Sequence, residues 1–153
     1  MLTMNVDLLP IINNEGQKLG FDGEVSFTEN DCEIACLVKG EAVNFAGRLD
    51  IEGHISAVVK TVCARCLKSL EIPMELDFAE TVGENEVELD GSVLDVTSIV
   101  IGNVVVELPI RFLCSEDCKG LCGTCGANLN DTQCSCVDDS IDERFAVLKS
   151  LLE

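Results

Sequence analysis

Ten cysteines among 153 residues, several in close pairs, constrain this chain more than any other feature. Cys122-Gly-Thr-Cys125-Gly126 is followed by Cys134-Ser-Cys136, so two thiol pairs flank a short loop. One close pair can bite a tetrahedral ion and a second can close its shell. Cys122, Cys125, Cys134 and Cys136 are therefore a candidate metal quartet, with zinc the first choice of ion. An iron–sulfur cluster ranks lower, because the spacing matches neither common ferredoxin pattern. Gly126 suits the site, since a turn that aims N–H groups at sulfur often needs positive φ. Gly120 and Asn128-Leu-Asn130-Asp131 add turn chemistry around the pairs. Free thiols in an exposed loop would oxidise, which argues against leaving all four unligated.

Cys114-Ser-Glu-Asp-Cys118 stands just upstream, and either cysteine can replace a member of the quartet. The register is thus less fixed than the existence of a site. Cys63-Ala-Arg-Cys66 is a further CxxC at the end of a strand-like run, with three readings. It is half of a second metal site completed by Cys114 and Cys118, a redox dithiol with Arg65 lowering a thiol pKa, or a reduced structural turn. A thioredoxin-like site wants a surrounding βαβ pattern, which is missing. The metal half-site is slightly preferred to the structural turn, so Cys63, Cys66, Cys114 and Cys118 stand as second or alternative ligands. Cys32 and Cys36 fall on one face of a strand and read as buried small hydrophobes.

A disulfide framework would be the reading for a secreted chain. The N-terminus, Met1 to Pro10, lacks a basic stretch, an apolar stretch and a cleavage site, so no signal peptide is expected. A CxC pair is also a strained disulfide partner for itself but an ordinary chelate. No apolar run approaches the roughly 20 residues of a membrane span. The cytoplasm is the expected compartment, with thiols reduced or metal-bound. The formal net charge is −18, and a tetrathiolate zinc site would add about −2. Such a surface repels phosphate, which disfavours naked RNA, and attracts basic proteins, although acidity also serves solubility alone. Arg48, Lys60, Arg65 and Lys68 are the residues that a folded surface would have to gather into a basic patch.

Six Phe with no Trp or Tyr leave the core to Val, Ile and Leu, which favours strands. Residues 33–38, 42–46, 48–52, 55–62 and 70–78 read as strands joined by short connections. An antiparallel meander or partly closed barrel follows, with Pro73 marking an edge. The acidic stretch 80–91 reads as a solvated, mobile loop. Residues 95–108 are ambiguous. Val96, Ile99, Val100, Val104 and Leu108 mark a helical face with Asp95 as cap, whereas the β-branched run and Gly102 favour a strand. Ile141, Phe145, Leu148 and Leu152 predict a closing helix. The fold class expected is α+β: residues 1–110 as a mainly β domain, and 111–153 as a cysteine-rich metal-binding segment with a C-terminal helix packing on it in one compact unit.

No Ser/His/Asp arrangement, phosphate loop or carboxylate pair stands out, so no catalytic residue is assigned and no enzyme is expected. His54, the sole histidine, reads as a surface or turn residue. The cysteine blocks carry a resemblance. Val62-Cys63-Ala64-Arg65-Cys66-Leu67 resembles the C-x-R-C-L signature of the bacterial large ribosomal RNA subunit accumulation protein family (YceD type). Leu113 to Asn130, with Cys134-Ser-Cys136, is similar to the second signature of that family, and Asp142-Glu143-Arg144 with Leu148 to its closing segment. Glu143 and Gly123 stand where the family usually has proline, and neither change touches a ligand. The resemblance implies a helix at 95–108 and a non-enzymatic role in accumulating or processing large-subunit ribosomal RNA. It also implies partners among basic ribosomal proteins or large-subunit assembly intermediates, since the family's genes commonly lie beside one for a small basic ribosomal protein. The rivals are a cytoplasmic thiol redox or metal-relay protein using the CxxC pairs, and an acidic adaptor unconnected with the ribosome.

Overall fold

The computed structural model describes residues 2–45, 48–83 and 93–136. The chain divides into two compact units. The first is Met1–Thr61 with Ser69–Ile110; the second takes Val62–Lys68 and the chain from Arg111 on. Val62–Lys68, in the stretch expected to be mainly β, belongs with the cysteine-rich unit.

The first unit holds β1 (Asn5–Asp7), α1 (Leu9–Ile12), β2 (Lys18–Glu29), β3 (Cys32–Phe45), β4 (Arg48–Val62), β5 (Ser69–Gly83), β6 (Val93–Asp95) and α2 (Val96–Glu107). Strands β2 to β5 form one sheet in chain order, the meander of the sequence analysis. No ladder joins β2 to β5 among the described residues, so the sheet is open rather than barrel-like. Strand β5 is an edge, as Pro73 indicated, and Glu71, Glu75 and Asp77 along it discourage pairing with another chain.

Strand β2 was not read from the sequence. Its hairpin with β3 turns on Asn30-Asp31, both at positive φ (48° and 61°), between the paired residues Glu29 and Cys32. That is the two-residue turn whose twist suits a hairpin, and Asn and Asp tolerate it best after glycine. Gly40 and Gly53, which fall in the gaps between the strands expected at 33–38, 42–46, 48–52 and 55–62, do not end strands. Each lies within a continuous strand, and the two face one another across the β3–β4 ladder. A Cβ on Gly40 would come within 2.6 Å of the Phe21 ring, and one on Gly53 within 2.7 Å of the Phe78 ring. The glycines make room for two of the few aromatic side chains.

One face of the sheet carries Val25, Phe27, Ile34, Cys36, Val38, Ala42, Ile51, Ile55, Ala57 and Val59, all buried. Burial of each large member contributes about 1.5–3 kcal/mol. Leu8 and Ile11 from the α1 region and Val96, Val100 and Val104 of α2 join this core. Cys32 and Cys36 are part of it, and burial pushes the Cys36 thiol up to about 11, as befits an inert hydrophobe. The ambiguous 95–108 stretch is helical. Asp95 caps it by accepting the Thr97 N–H at 2.9 Å, and it ends before Pro109. β-Branched residues are tolerated because tertiary anchoring outweighs propensity: Thr97 and Val96 are tied to Met4 by bonds of 2.8 and 3.0 Å. Residues 84–91 of the acidic stretch and the closing helix at 141–152 lie outside the described residues.

Gly53→Ala should destabilise the first unit by about 1–3 kcal/mol, because the new methyl meets the Lys39 carbonyl oxygen as well as Phe78. Gly20→Ala, with open space at its Cβ, should stay within roughly 0.5 kcal/mol. Denaturant midpoints of the two variants check this contrast.

Candidate metal centres

The second unit brings eight cysteines into two quartets. In each, the four sulfurs lie within 4.8 Å of one another. The inner quartet is Cys63, Cys66, Cys114 and Cys118; the outer is Cys122, Cys125, Cys134 and Cys136. All ten cysteines of the chain are free thiols. Sulfur separations are 3.8 Å for Cys63–Cys118, 3.6 Å for Cys66–Cys114, and 3.4 Å for both Cys125–Cys134 and Cys122–Cys134. Four sulfurs about 2.3 Å from a tetrahedral zinc stand about 3.8 Å apart. Either quartet can therefore hold a metal ion with small adjustments.

The two CxxC segments share one backbone design. The Leu67 N–H donates to the Cys63 carbonyl (3.0 Å), and the Gly126 N–H donates to that of Cys122 (2.9 Å). Cys63 N–H closes the turn on Lys68 O and Cys122 N–H on Ala127 O, both at 2.8 Å. The residue after the second cysteine is left-handed in both: Leu67 at φ 59° and Gly126 at φ 72°. Positive φ at Gly126 is what the sequence suggested. Its leucine counterpart was missed, because leucine gives no such signal.

These turns aim N–H groups at sulfur. Cys63 is lowered to about 6, chiefly by the Cys66 N–H, then by those of Arg65 and Cys114 against the opposing effect of burial. The N–H groups of Cys125 and Thr124 likewise lower Cys122 to about 6. The opposite extreme appears in each quartet. Cys114 rises to about 12 beside Cys118 and Cys66, and Cys136 to about 12 beside Cys134 and Cys125. Each cluster readily accepts a first negative charge and resists the last, and a dication removes that conflict.

The inner quartet draws on distant chain, since Cys63 and Cys118 are 55 residues apart. Backbone bonds register its two pieces: Ala64 N–H to Phe112 O (2.8 Å) and Leu121 N–H to Arg65 O (3.2 Å). The Arg65 guanidinium donates to the carbonyls of Glu116 and Cys118, so it braces the site. Gly120 is needed there: it sits at φ 77°, and a Cβ would come within 3.1 Å of Arg65 O. Asn130 of the outer loop accepts the Lys119 N–H at 2.8 Å and donates to Cys118 Sγ at 3.4 Å. Turn residues around Asn128–Asp131 were legible; this side-chain bond to a ligand sulfur was not. Among the described residues of this unit, the buried apolar side chains are Cys63, Cys66 and Cys118.

His54 lies on exposed sheet surface, away from any cysteine in sequence. Its ring nitrogens meet Asp77 (2.6 Å) and Glu75 (2.8 Å), which together hold its pKa above the ordinary value.

An open meander whose last hairpin connection is a metal-type knuckle defines a class of cysteine-knuckle β proteins. The family model for the large ribosomal RNA subunit accumulation protein YceD matches residues 51–152, and the chain belongs to that family. Similar proteins include an uncharacterized protein of Mycobacterium leprae, 26% identical over 74% of this chain and 50% of its own. The chloroplastic YCED homolog 1 of Arabidopsis thaliana is 35% identical over 39% of this chain and 19% of its own. That of Zea mays is 24% identical over 65% and 48%. The chain thus spans about half the length, or less, of these curated relatives. No solved structure matches it.

Gly126→Ala should weaken metal binding at the outer quartet roughly ten-fold, since a left-handed Ala costs about 1–2 kcal/mol and nothing else crowds the site. Leu67→Gly should leave the inner quartet equal or tighter, because that leucine is 61% exposed and its strain is removed. Competition titrations with a chromophoric chelator measure both.

Proposed function

We propose that this chain is a non-enzymatic factor in ribosome large-subunit biogenesis, supporting the accumulation or processing of large-subunit ribosomal RNA. The family match carries this reading: it spans 51–152 and so includes every cysteine of both quartets. Zinc held by Cys122, Cys125, Cys134 and Cys136 acts structurally. The cytoplasm is the compartment in which these thiols stay reduced. No helix among the described residues is long and apolar enough to cross a membrane.

The partner on this reading is a basic ribosomal protein or an assembly intermediate met through its protein face. The net charge of −18 opposes phosphate at long range. The cations that would have to form a basic patch are dispersed or engaged. Arg48 and Lys60 stand near opposite ends of β4, about 40 Å apart at the usual strand rise. Lys60 pairs with Glu71 at 3.7 Å, and Arg65 is turned to backbone carbonyls. At the first CxxC the redox alternative gains no support, because Cys63 is fully buried and Cys66 is 7% exposed, out of reach of a partner disulfide.

Depletion of the protein should lower mature large-subunit ribosomal RNA severalfold relative to small-subunit RNA, and the Cys122→Ser/Cys125→Ser variant should restore it poorly. Unchanged RNA ratios after full depletion would refute the role. At matched salt, basic ribosomal proteins should bind roughly ten-fold or more tighter than naked RNA fragments; the reverse order would refute the partner.

A further inference from the structure

We propose that the chain carries two zinc ions that differ in lability: a retained ion in the inner quartet and an exchangeable one in the outer quartet. For the outer ion this rests on the reading that Cys122, Cys125, Cys134 and Cys136 bind zinc. The inner ion stands on its own geometry.

The shared turn design makes both quartets competent. Each begins with a CxxC turn closed by the same pair of backbone hydrogen bonds, and each gathers four sulfurs at chelate distance. Their surroundings differ. Cys63, Cys66 and Cys118 are 0%, 7% and 3% exposed, and Cys114 is half-buried. Cys125 and Cys136 are exposed, and Cys122 and Cys134 half-buried. A chelator or acceptor thiol removes zinc from a thiolate site by reaching the ion as one sulfur leaves. At the outer quartet two sulfurs face solvent and allow that approach. At the inner quartet three of the four cysteines are buried, and only Cys114 offers a partial approach.

Chain connectivity acts in the same direction. The outer ion closes short loops, with Cys122 and Cys134 12 residues apart and Cys125 and Cys134 9 apart. One sulfur can depart with little else disturbed. The inner ion joins Cys63 to Cys118 across 55 residues, in a network fixed by Arg65, Gly120 and Phe112. Sulfur hydrogen bonds follow the same division. Inner Cys63 accepts the Cys114 N–H and inner Cys118 accepts the Asn130 amide, both at 3.4 Å from distant chain. Outer Cys134 takes a backbone N–H from within its own loop, that of Cys136 two residues on, at 3.3 Å. Such bonds disperse thiolate charge and slow attack on it. Asn130 lies in the outer loop, so it also couples the inner site to the state of the outer one.

The test uses the full chain, purified anaerobically after zinc-supplemented expression. Elemental analysis should give two zinc ions per chain. In excess chelator, zinc release followed with a pyridylazo chromophore should be biphasic with equal amplitudes, the fast phase at least ten-fold faster. Cys125→Ser should abolish the fast phase and keep the slow one. In case that variant misfolds, isotope-enriched zinc added to the unaltered protein should replace one ion, not both, as read by native mass spectrometry. No zinc at all would refute the zinc reading itself. One ion per chain, or two ions leaving in a single phase, would overturn the inference while leaving that reading intact.

Discussion

The N–H···S bonds of the two CxxC turns are the interaction on which the cysteine-rich unit depends. They hold the thiols of Cys63 and Cys122 below the ordinary range. Three more thiols stand close by in each quartet, and Cys114 and Cys136 resist ionisation most. A bound dication reverses that balance and turns repulsion into a cross-link. The unit has little else, since its buried apolar side chains among the described residues are themselves ligand-type cysteines. The sheet unit is built in the opposite way, with a continuous apolar face and, among the described residues, two satisfied buried polar groups, Asn44 and Thr97.

This division explains why a strongly acidic chain can afford eight clustered thiols. The inner quartet ties together backbone that is far apart in sequence, whereas the outer one staples a local loop. Asn130, reaching from the outer loop to Cys118, links the two.

Much of this was legible in the sequence where residue type and spacing carry direct physical meaning. The CxxC and CxC pairs, Gly126, Asp95 as cap and Pro73 at an edge are all of that kind. Where the same residue type serves two purposes, the sequence misleads. Gly40 and Gly53 look like chain breaks but accommodate Phe21 and Phe78 across a ladder. Strand β2 was hidden because Gly20 and Gly23 interrupt its alternation, and its register comes from pairing with β3 rather than from its own residues. The helix at 96–107 is β-branched and contains a glycine; contacts from Met4 decide its state. Leu67 carried no sign of its left-handed backbone, since only the equivalent position in the other knuckle is glycine. Which cysteines gather into one cluster was likewise a question of three-dimensional pairing that spacing alone left open.

The central claim is that bound metal, rather than an apolar core, orders the second unit. Hydrogen exchange of the full chain before and after anaerobic zinc removal tests it most directly. Amides of residues 62–68 and 111–136 should lose protection on removal, while those of β2, β3 and β4 keep theirs. Protection retained throughout the cysteine-rich unit without metal would contradict the account, as would simultaneous loss of protection across both units.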